Sequence, residues 1–472
     1  MTETTESPAA SGSSAASSDA PSSGAPSIVI IGNGITGVTA ARTIRKLNAG
    51  ARIQIISKET DYFFSRTALM YIYMGHMRFE DTMPYEKDFW PKNRLELIRD
   101  TVTTVDPANK TVRLEKQGAL KYDLLLIATG AQSNKFGWPG QDLPRVQGLY
   151  SYQDLEELEK NTAGGCERGV IVGGGLIGIE FAEMLHTRDI PVSILVREDD
   201  YWDNVLPPEE AQMINREIRE HHIDLQLNTE LKEILAGENG EARAVVTNKG
   251  EEIVCGVVGL TAGVSPNIGV FKETAIECQR GVLVDRFLRT NAPDVYAAGD
   301  CAQFREGEKA TPPPVEQLWY TGKMHGEIAG AHMAKRAADI AGDSRLAGDI
   351  EAPAYDRGIW FNSAKFFTIE YQTYGFVPNR PDADRTYVWI DEEKKKLLRL
   401  IWETDGSGAS IFTGINLFGM RFRHEVCAAW IREKRAIEYV VDHLKDAWFD
   451  PEFFSPTYKR IQKDFNKRGK AA

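Results

Sequence analysis

Two glycine-rich turns give the sequence its clearest chemical signal. Each follows a short β-branched run and opens a helix, and each has the GxGxxG spacing: Gly32, Gly34 and Gly37 in the first turn, and Gly173, Gly175 and Gly178 in the second. The first glycine of such a turn permits a tight bend, the second lets a pyrophosphate approach, and the third lets helix and strand pack closely. The helix N-terminus adds free N–H groups. Two turns in this context predict two bound dinucleotides.

Charged residues stand at the ends of the strands that follow the two turns. The strand after the first turn leads to Glu59, where a carboxylate would accept hydrogen bonds from a ribose. The strand after the second turn ends in Val196 and Arg197, and an arginine there favours the 2′-phosphate of NADPH. The acids at 198–200 would repel a phosphate if they pointed inward. NADH therefore stays open, and Arg197 is equally well explained as a surface charge.

Two further strands end in small-residue turns, and a helix follows the second of them. The first strand ends in Thr129 and Gly130, and the second in Gly299 and Asp300. After Pro312–Pro314 the sequence predicts a helix from about Val315, with these side chains in its first turns: Glu316, Gln317, Trp319 and Tyr320. The N-terminus of this helix would stabilise negative charge on a bound ligand. Trp319 and Tyr320 would stack on that ligand or simply pack.

The chain beyond about residue 352 has a different character. Segments rich in aromatic and β-branched residues predict an antiparallel meander: 355–374, 385–390, 396–402 and 409–417. An amphipathic helix is predicted from about His424 to Leu444. The predicted fold class is α/β, with two Rossmann-like dinucleotide-binding domains and a C-terminal α+β domain.

Composition excludes several classes of function. The 472 residues are 42% apolar and 26% charged, as in a globular chain of two or three domains. A net charge of −12 argues against a nucleic-acid partner. The five cysteines show no CxxC spacing and the eight histidines no HExxH, so we expect reduced thiols, a cytoplasmic protein and no metal site. Residues 1–26 predict a disordered tail, and no run approaches the roughly 20 apolar residues of a membrane span.

The order of five motifs resembles the FAD/NAD(P)H-dependent pyridine nucleotide-disulfide oxidoreductase superfamily. They are GNGITG, LLLIATG, GGGLIGIE, TAGVSPN and VYAAGD, and the resemblance covers residues 27–340. It implies an FAD domain interrupted by an NAD(P)H domain, then an interface domain, in a homodimer. The implied boundaries are 1–26 for the tail, 27–150 and 286–350 for the FAD domain, 151–285 for the NAD(P)H domain and 351–472 for the interface domain.

The resemblance also implies roles for individual residues. The first turn would hold the FAD pyrophosphate, Glu59 the adenosine ribose, and Asp300 the ribityl or pyrophosphate oxygens. The second turn would hold the nicotinamide nucleotide. The remaining candidates for cofactor binding are Arg66, Thr129, Gly130, Arg197, Gly263, Gly299, Gln317 and Trp319.

The spacing from Glu59 to Arg66 is similar to the branch that contains ferredoxin, rubredoxin and putidaredoxin reductases. Their motif reads arginine, proline, any residue, leucine, serine, lysine, which places Arg66 beside the FAD phosphates. In this branch the lysine pairs with the acid that matches Glu180 beside the flavin. Tyr71 replaces that lysine here, so Glu180 and Tyr71 are the candidate catalytic residues and the geometry of hydride transfer is in question.

Relatives that reduce disulfides carry redox cysteines where this chain has none. Ser65–His76 contains no thiol, and His443 has no suitable acid before Asp446. We therefore expect reduced flavin to pass electrons directly to an acceptor, with a ferredoxin-like or rubredoxin-like protein as the leading hypothesis. A basic patch of Arg421, Arg423, Arg432, Lys434 and Arg435 would receive it, although scattered solvated charges are the simpler reading.

Two alternatives stay open. The first is quinone reduction at a membrane surface, since residues 451–472 mix aromatic and basic side chains that suit an anionic interface. A docked or frayed terminal helix explains the same residues more simply. The second is a flavin-bearing redox sensor similar to apoptosis-inducing factor, because the change at Tyr71 suits a slow switch better than a fast reductase.

Overall fold

The computed structural model describes residues 24–307, 314–449 and 456–468. The predicted disordered tail falls almost wholly outside these residues, as do Pro312 and Pro313 of the proline break. Phe453 and Phe454 of the basic-aromatic tail also lie outside them.

The chain begins with the elements that surround the first glycine turn. In order they are β1 (Ser27–Ile31), α1 (Ile35–Leu47), β2 (Arg52–Ser57), a 3-10 turn (Arg66–Ala68), α2 (Leu69–Tyr73), a 3-10 turn (Phe79–Thr82), α3 (Phe89–Lys92) and β3 (Leu95–Arg99). A three-stranded antiparallel excursion follows: β4 (Val102–Asp106), β5 (Thr111–Leu114) and β6 (Gly118–Lys121). The chain then returns through β7 (Leu124–Ile127), which pairs in parallel with β1.

The second glycine turn belongs to a separate sheet. Its elements are β8 (Ala131–Ser133), β9 (Val146–Gln147), α4 (Tyr152–Thr162), β10 (Gly169–Val172), α5 (Leu176–His186), β11 (Val192–Leu195), α6 (Pro208–Glu220), β12 (Asp224–Gln226), β13 (Leu231–Ala236), β14 (Ala242–Thr247), β15 (Glu252–Val254), β16 (Val257–Leu260) and β17 (Val264–Pro266). The parallel sheet has the order β12-β11-β10-β16-β9. Its central strands are buried along their whole length, as strands covered by helices on both faces must be.

The chain then returns to complete the first sheet. The elements are a 3-10 turn (Gly269–Phe271), β18 (Val282–Val284), β19 (Val295–Ala297), a 3-10 turn (Gly299–Cys301), β20 (Ala302–Phe304), α7 (Trp319–Ile340) and α8 (Ser344–Asp349). The first sheet has the parallel order β19-β7-β1-β2-β3. Helix α7 packs on α1 so closely that a Cβ on Gly326 would lie 2.5 Å from the Thr36 carbonyl oxygen. One parallel-sheet domain is therefore inserted in another.

The third domain is an antiparallel sheet covered by helices. Its elements are β21 (Phe361–Phe366), β22 (Ile369–Gly375), a 3-10 turn (Ala383–Arg385), β23 (Thr386–Asp391), β24 (Lys396–Thr404), β25 (Ser410–Phe418), α9 (His424–Arg432), α10 (Ile437–Asp442) and α11 (Thr457–Arg468). The strand order is β21-β22-β25-β24-β23. The predicted α/β fold class with a C-terminal α+β domain is confirmed.

The single long helix predicted from His424 to Leu444 is wrong, because the chain forms α9 and α10 with a break between them. Lys434 adopts a left-handed conformation with φ of 53°. The Arg435 carbonyl accepts a hydrogen bond from the Phe412 N–H at 2.9 Å, and Ala436 bridges to Ile411. The break thus satisfies backbone groups at the edge of β25 that a continuous helix would leave unpaired.

A buried ion pair joins the third domain to the domain of the second turn. Arg399 on β24 is 1% exposed and Glu210 on α6 is fully buried. The guanidinium donates to the Glu210 carboxylate at 2.7 and 2.9 Å and to Glu209 at 2.6 Å. Nearby, Lys395 contacts the buried Glu217. These contacts fix α6 against the third domain.

Replacing Arg399 with methionine should destabilise the protein strongly. The substitution keeps most of the volume but leaves the Glu210 carboxylate buried without its counter-charge, which costs about 3–5 kcal/mol. Urea unfolding followed by circular dichroism measures the loss. The double variant Arg399→Met, Glu210→Gln should recover a large part of it. A single variant as stable as the unmodified protein would contradict the expectation.

Candidate functional site

The first glycine turn has the geometry of a dinucleotide cradle. Gly32 has a φ of +117°, and a Cβ there would lie 2.1 Å from the Ala128 carbonyl oxygen. A Cβ on Gly37 would lie 2.0 Å from the Gly32 carbonyl oxygen, so helix α1 packs directly on the turn. A Cβ on Gly34, in contrast, would meet nothing within 4 Å. Close packing on two sides and open space on the third fit a bound pyrophosphate.

The second turn repeats this arrangement. Gly173 has a φ of +123°, and a Cβ there would lie 2.8 Å from the Ala262 backbone nitrogen. A Cβ on Gly178 would lie 2.6 Å from the Gly173 carbonyl oxygen, whereas one on Gly175 would meet nothing within 4 Å. The helices that begin at the two turns have neither a capping side chain nor an acid in the first turn. Both N-termini therefore suit an anionic ligand.

Glu59 and Arg66 lie in direct contact, which the sequence did not show. The Arg66 guanidinium donates to the Glu59 carboxylate at 2.7 and 2.6 Å, and the Tyr152 N–H donates to it at 2.8 Å. Arg66 also donates to the Tyr150 carbonyl. Although burial opposes its charge, the Glu59 carboxylate raises the pKa of Arg66. A cation and an acid thus stand side by side within reach of the first turn.

Tyr150 extends this network to Asp300, and sequence reasoning missed it. Its hydroxyl donates to the Asp300 carboxylate at 3.0 Å and accepts from the Ala131 N–H at 2.9 Å. Burial raises the pKa of Asp300, while the Tyr150 hydrogen bond and the Arg66 charge act in the opposite direction. Tyr150 stands in a connecting segment 150 residues from its partner. No local motif marks it.

The ends of the parallel strands bring the remaining candidates of the first site together. Because β1, β7 and β19 are neighbours, their carboxyl ends share one edge of the sheet. A Cβ on Gly130 would lie 2.8 Å from the Tyr150 hydroxyl, and one on Gly299 would lie 2.4 Å from Thr36 Oγ1. The Thr129 hydroxyl donates to the Asn267 carbonyl at 2.7 Å. This edge is where ligands of open α/β sheets bind.

Helix α7 begins at Trp319, so the predicted start near Val315 is wrong. The Pro314 carbonyl accepts a hydrogen bond from the Phe304 N–H at 2.9 Å, which keeps the preceding segment extended beside β20. Gln317 lies in this segment, and its Nε2 is buried without a hydrogen-bond partner among the described residues. Trp319 is 38% exposed. An unpaired buried amide fits a site that a ligand completes.

Glu316 is buried deeper than its neighbours and belongs to a different network. Its carboxylate accepts hydrogen bonds from the Tyr355 hydroxyl at 2.5 Å and from Arg357 at 3.1 Å. His325 Nε2 lies 3.4 Å away, while His325 Nδ1 accepts from the Gly299 N–H at 3.1 Å. Through His325 and Glu316, these contacts connect the Gly299 turn to the segment of Tyr355 and Arg357, which leads into the third domain.

Glu180 and Tyr71 lie on packed helices, α5 and α2, but the structure gives no hydrogen bond between them. The Glu180 carboxylate has no hydrogen bond or ion pair within the described part of the chain, and Tyr71 stacks on His76 with ring centroids 6.0 Å apart. Burial, with the nearby charge of Glu183, raises the pKa of Glu180 to about 7. Lys365 contacts Glu183 at 2.6 Å instead.

Val196 and Arg197, the positions predicted to distinguish NADH from NADPH, follow β11 beside the second turn. Val196 is fully buried, and a Cβ on Gly174 would lie 2.9 Å from it. The Arg197 side chain is 73% exposed and pairs with Glu198 at 2.6 Å. Gly263 has a φ of +81° and its carbonyl accepts from the Asn134 N–H. Val196 thus occupies the position where an NAD site would normally have an acidic residue, and the Arg197 side chain is exposed to solvent.

The cysteine that follows Asp300 is inaccessible. Cys301 follows Asp300 but is fully buried, and its thiol donates to the carbonyls of Ile127 and Ala298. Burial raises the pKa of this thiol, so it stays protonated. Within residues 24–307, 314–449 and 456–468 no cluster of His, Cys, Asp or Glu could hold a metal ion. No helix in these ranges is long and apolar enough to cross a membrane.

Comparison with known proteins places the chain among flavoprotein reductases. The chain is 30% identical over 318 residues to an NADH oxidase of Methanocaldococcus jannaschii, covering 64% of this chain and 70% of that protein. It is 28% identical over 340 residues to the ferredoxin–NAD(+) reductase component of a biphenyl dioxygenase system from Paraburkholderia xenovorans, covering 69% and 82%. A rubredoxin–NAD(+) reductase of Pseudomonas putida is 28% identical over 280 residues, covering 59% and 72%.

Solved structures share the fold. A ferredoxin reductase from Rhodopseudomonas palustris superposes with a TM-score of 0.70 at 22% identity, covering 84% of this chain and 91% of that one. An NAD-dependent persulfide reductase from A. fulgidus has a TM-score of 0.75 at 21% identity, covering 94% and 84%.

The family model described as pyridine nucleotide-disulphide oxidoreductase matches residues 26–338, which carry both glycine turns and the Asp300 network. The cofactors of this family are FAD and NAD(P)H, and the chain has two glycine turns with the geometry of dinucleotide cradles. The chain therefore belongs to the pyridine nucleotide-disulphide oxidoreductase family.

Proposed function

We propose that this enzyme takes hydride from NAD(P)H and passes electrons from reduced flavin directly to a small iron–sulfur protein. The observation that carries the proposal is the absence of a thiol relay. Ser65–His76 contains no cysteine. The thiol of Cys301 is buried among backbone carbonyls and protonated. FAD, when bound, supplies the two-electron to one-electron conversion that such an acceptor requires.

The chain's own residues bind and orient the two cofactors. Gly34 and Gly175 leave space for the two pyrophosphates at helix N-termini. Arg66 is positioned by Glu59 to neutralise phosphate charge, and Asp300 is positioned by Tyr150 to accept hydroxyl hydrogen bonds. The Glu59 carboxylate pairs with Arg66, and its role toward the ribose is part of the proposal.

An acceptor would meet exposed aromatic rings where α7 joins the third domain. Trp319 and Tyr320 are 38% and 36% exposed and form an edge-on pair. Tyr320 contacts Phe361 with centroids 4.7 Å apart, and Phe361 contacts His424 at 4.4 Å. The start of α7 follows the segment that holds Gln317, so these rings lie beside the flavin site in our proposal.

The relatives support an iron–sulfur acceptor, since two of those described above are named for ferredoxin and rubredoxin. Of the predicted basic patch, Arg421 pairs with Glu370 and Arg435 with Glu433, which leaves less free positive charge than the sequence suggested.

Protonated thiols and the absence of disulfides among the described cysteines favour the cytoplasm as the compartment.

The quinone alternative finds no support in the described part of the tail. Helix α11 buries Tyr458 and Ile461 against the third domain, and Phe465 packs on the same core. These side chains are therefore unavailable to a lipid surface. The tail behaves as a docked helix over residues 457–468.

The acceptor is tested by mixing the NADH- or NADPH-reduced, FAD-loaded protein with a ferredoxin, a rubredoxin, a quinone or oxygen. We expect at least one of the iron–sulfur proteins to reoxidise the flavin faster than quinone or oxygen does, in stopped-flow absorbance measurements. Rapid reduction and turnover would also eliminate the redox-sensor alternative. Faster reoxidation by the quinone would refute the proposal, as would a protein that binds no flavin.

Replacing Glu180 with glutamine should stabilise the enzyme at pH 8 but not at pH 4. The pKa of Glu180 is raised to about 7, so this carboxyl group binds a proton more tightly in the folded protein than in the unfolded chain. The contribution of Glu180 to the free energy of unfolding is therefore fully present below the ordinary carboxyl pKa and is lost as the pH rises through 7. We expect a gain of about 1–2 kcal/mol at pH 8, discounted for partial exposure. Thermal unfolding at both pH values measures it, and equal effects would contradict the assignment.

Replacing Arg197 with alanine should raise the dissociation constant of NADPH about tenfold and leave that of NADH unchanged, because a hydrogen bond between the arginine and the 2′-phosphate is lost. Dissociation constants measured by flavin-absorbance titration give the comparison. Arg243, an exposed arginine paired with Glu252, provides the matched control as Arg243→Ala. Equal weakening of both nucleotides, or of neither, would show that Arg197 does not select NADPH.

A further inference from the structure

The loop of residues 198–203 follows β11 and is tied to the second glycine turn. The Tyr201 hydroxyl donates to the Gly175 carbonyl at 2.7 Å, and the Tyr201 side chain is fully buried. The Tyr201 N–H donates to Asn215 Oδ1 at 3.0 Å, and the Asn215 amide donates to Asp200 at 2.7 Å. The position of this loop therefore affects the turn that would carry the nucleotide pyrophosphate.

The third domain holds the same loop from the opposite side. The Asn379 side-chain amide donates to the Asp203 carbonyl at 2.9 Å. The Arg380 guanidinium lies 3.7 Å from the Asp203 carboxylate. The ring of Trp202 packs on Phe366, with centroids 5.7 Å apart. Two polar or charged groups thus reach across the domain boundary to Asp203, and one aromatic ring reaches its neighbour Trp202.

Trp202 shows that the loop is constrained rather than relaxed. Its φ is +60°, a left-handed conformation that bulky side chains rarely adopt. Such a conformation persists only where surrounding contacts over-determine it. The contacts that hold the Trp202 ring include Phe366 and Tyr371, both of the third domain. The loop's shape is therefore not a property of the NAD(P)H domain alone.

The loop also carries four acidic side chains, whose charge would repel a bound phosphate. Glu198, Asp199, Asp200 and Asp203 lie within six residues. Arg380 is the cation that the third domain brings to this cluster. Its charge opposes the repulsion that the four carboxylates would exert on a bound nucleotide.

We propose that the third domain sets the conformation of the 198–203 loop and thereby the affinity for NAD(P)H, with Asn379 and Arg380 as positioning residues. The inference rests on the proposed function, because it takes the second turn as the NAD(P)H site. Asn379 acts through the Asp203 backbone, the loop and the Tyr201–Gly175 hydrogen bond. It needs no contact with the nucleotide.

The test is Asn379→Ala in the full-length, FAD-loaded enzyme. We expect the dissociation constants of NADH and NADPH to rise about three- to tenfold, the effect of losing one hydrogen bond. The limiting rate of flavin reduction at saturating nucleotide should stay within about twofold, because the reacting groups are untouched. Stopped-flow reduction at varied nucleotide concentration separates the two quantities.

Glu392→Ala supplies the matched control. Glu392 lies 3.7 Å from Arg216 in an exposed ion pair across the same domain boundary but outside the loop. We expect it to leave both dissociation constants unchanged. Arg380→Ala is a second variant of the third-domain contacts to the loop, at a side chain that is 61% exposed. The Arg380→Ala substitution should raise the dissociation constant of NADPH more than that of NADH, because the 2′-phosphate of NADPH adds negative charge beside the acidic loop.

The outcomes separate the inference from the proposed function. An unmodified enzyme that binds neither NADH nor NADPH would refute the function itself. If the unmodified enzyme binds NADH and NADPH, and both Asn379→Ala and Arg380→Ala have the same dissociation constants as the unmodified enzyme, the loop inference alone is overturned. Equal weakening by Glu392→Ala would overturn it too, since the effect would then come from the domain boundary in general. If Asn379→Ala fails to fold, Arg380→Ala decides.

Discussion

Direct hydride transfer between two nucleotides requires that two separate domains be held in one relation, because a displacement of about 1 Å is enough to slow such a reaction severely. The rest of this structure serves that constraint. One continuous core contains Phe64 of the first domain, Ile179 of the second and Phe366 of the third. The buried pair of Arg399 and Glu210 then locks the second domain to the third. Apolar packing stabilises the contact between the three domains, and the ion pair fixes the position of α6 against β24.

The charge of the protein is organised around the same boundary. Helix α6 presents Glu210 and Glu217 to Arg399 and Lys395 of the third domain. Lys365 adds a contact to Glu183 on the neighbouring helix. Some of the 68 acidic side chains are thus paired across the interface rather than displayed to partners. An acidic composition says little about a docking surface when its carboxylates are used in this way.

Local signals predicted the features that local geometry decides. The glycine turns, the strands that precede them and the fold class follow from residue types within a few positions. The Glu59–Arg66 pair, the reach of Tyr150 to Asp300 and the cross-domain contacts of Asn379 do not, since each depends on residues that only the tertiary fold brings together. The helix break at Lys434 and the late start of α7 have the same origin: hydrogen bonds to neighbouring strands override a continuous helical pattern.

The close packing of α7 on α1 has a consequence for biosynthesis. These helices are separated by more than half of the chain, and β19 joins its sheet only after the intervening domain has been passed. On the ribosome, the first sheet keeps an unpaired edge at β7 until β19 has emerged, at residue 297. The inserted domain, whose strands are contiguous apart from β9, can close first. An unpaired strand edge can template aggregation, so this topology leaves the nascent chain open to aggregation while the inserted domain is synthesised.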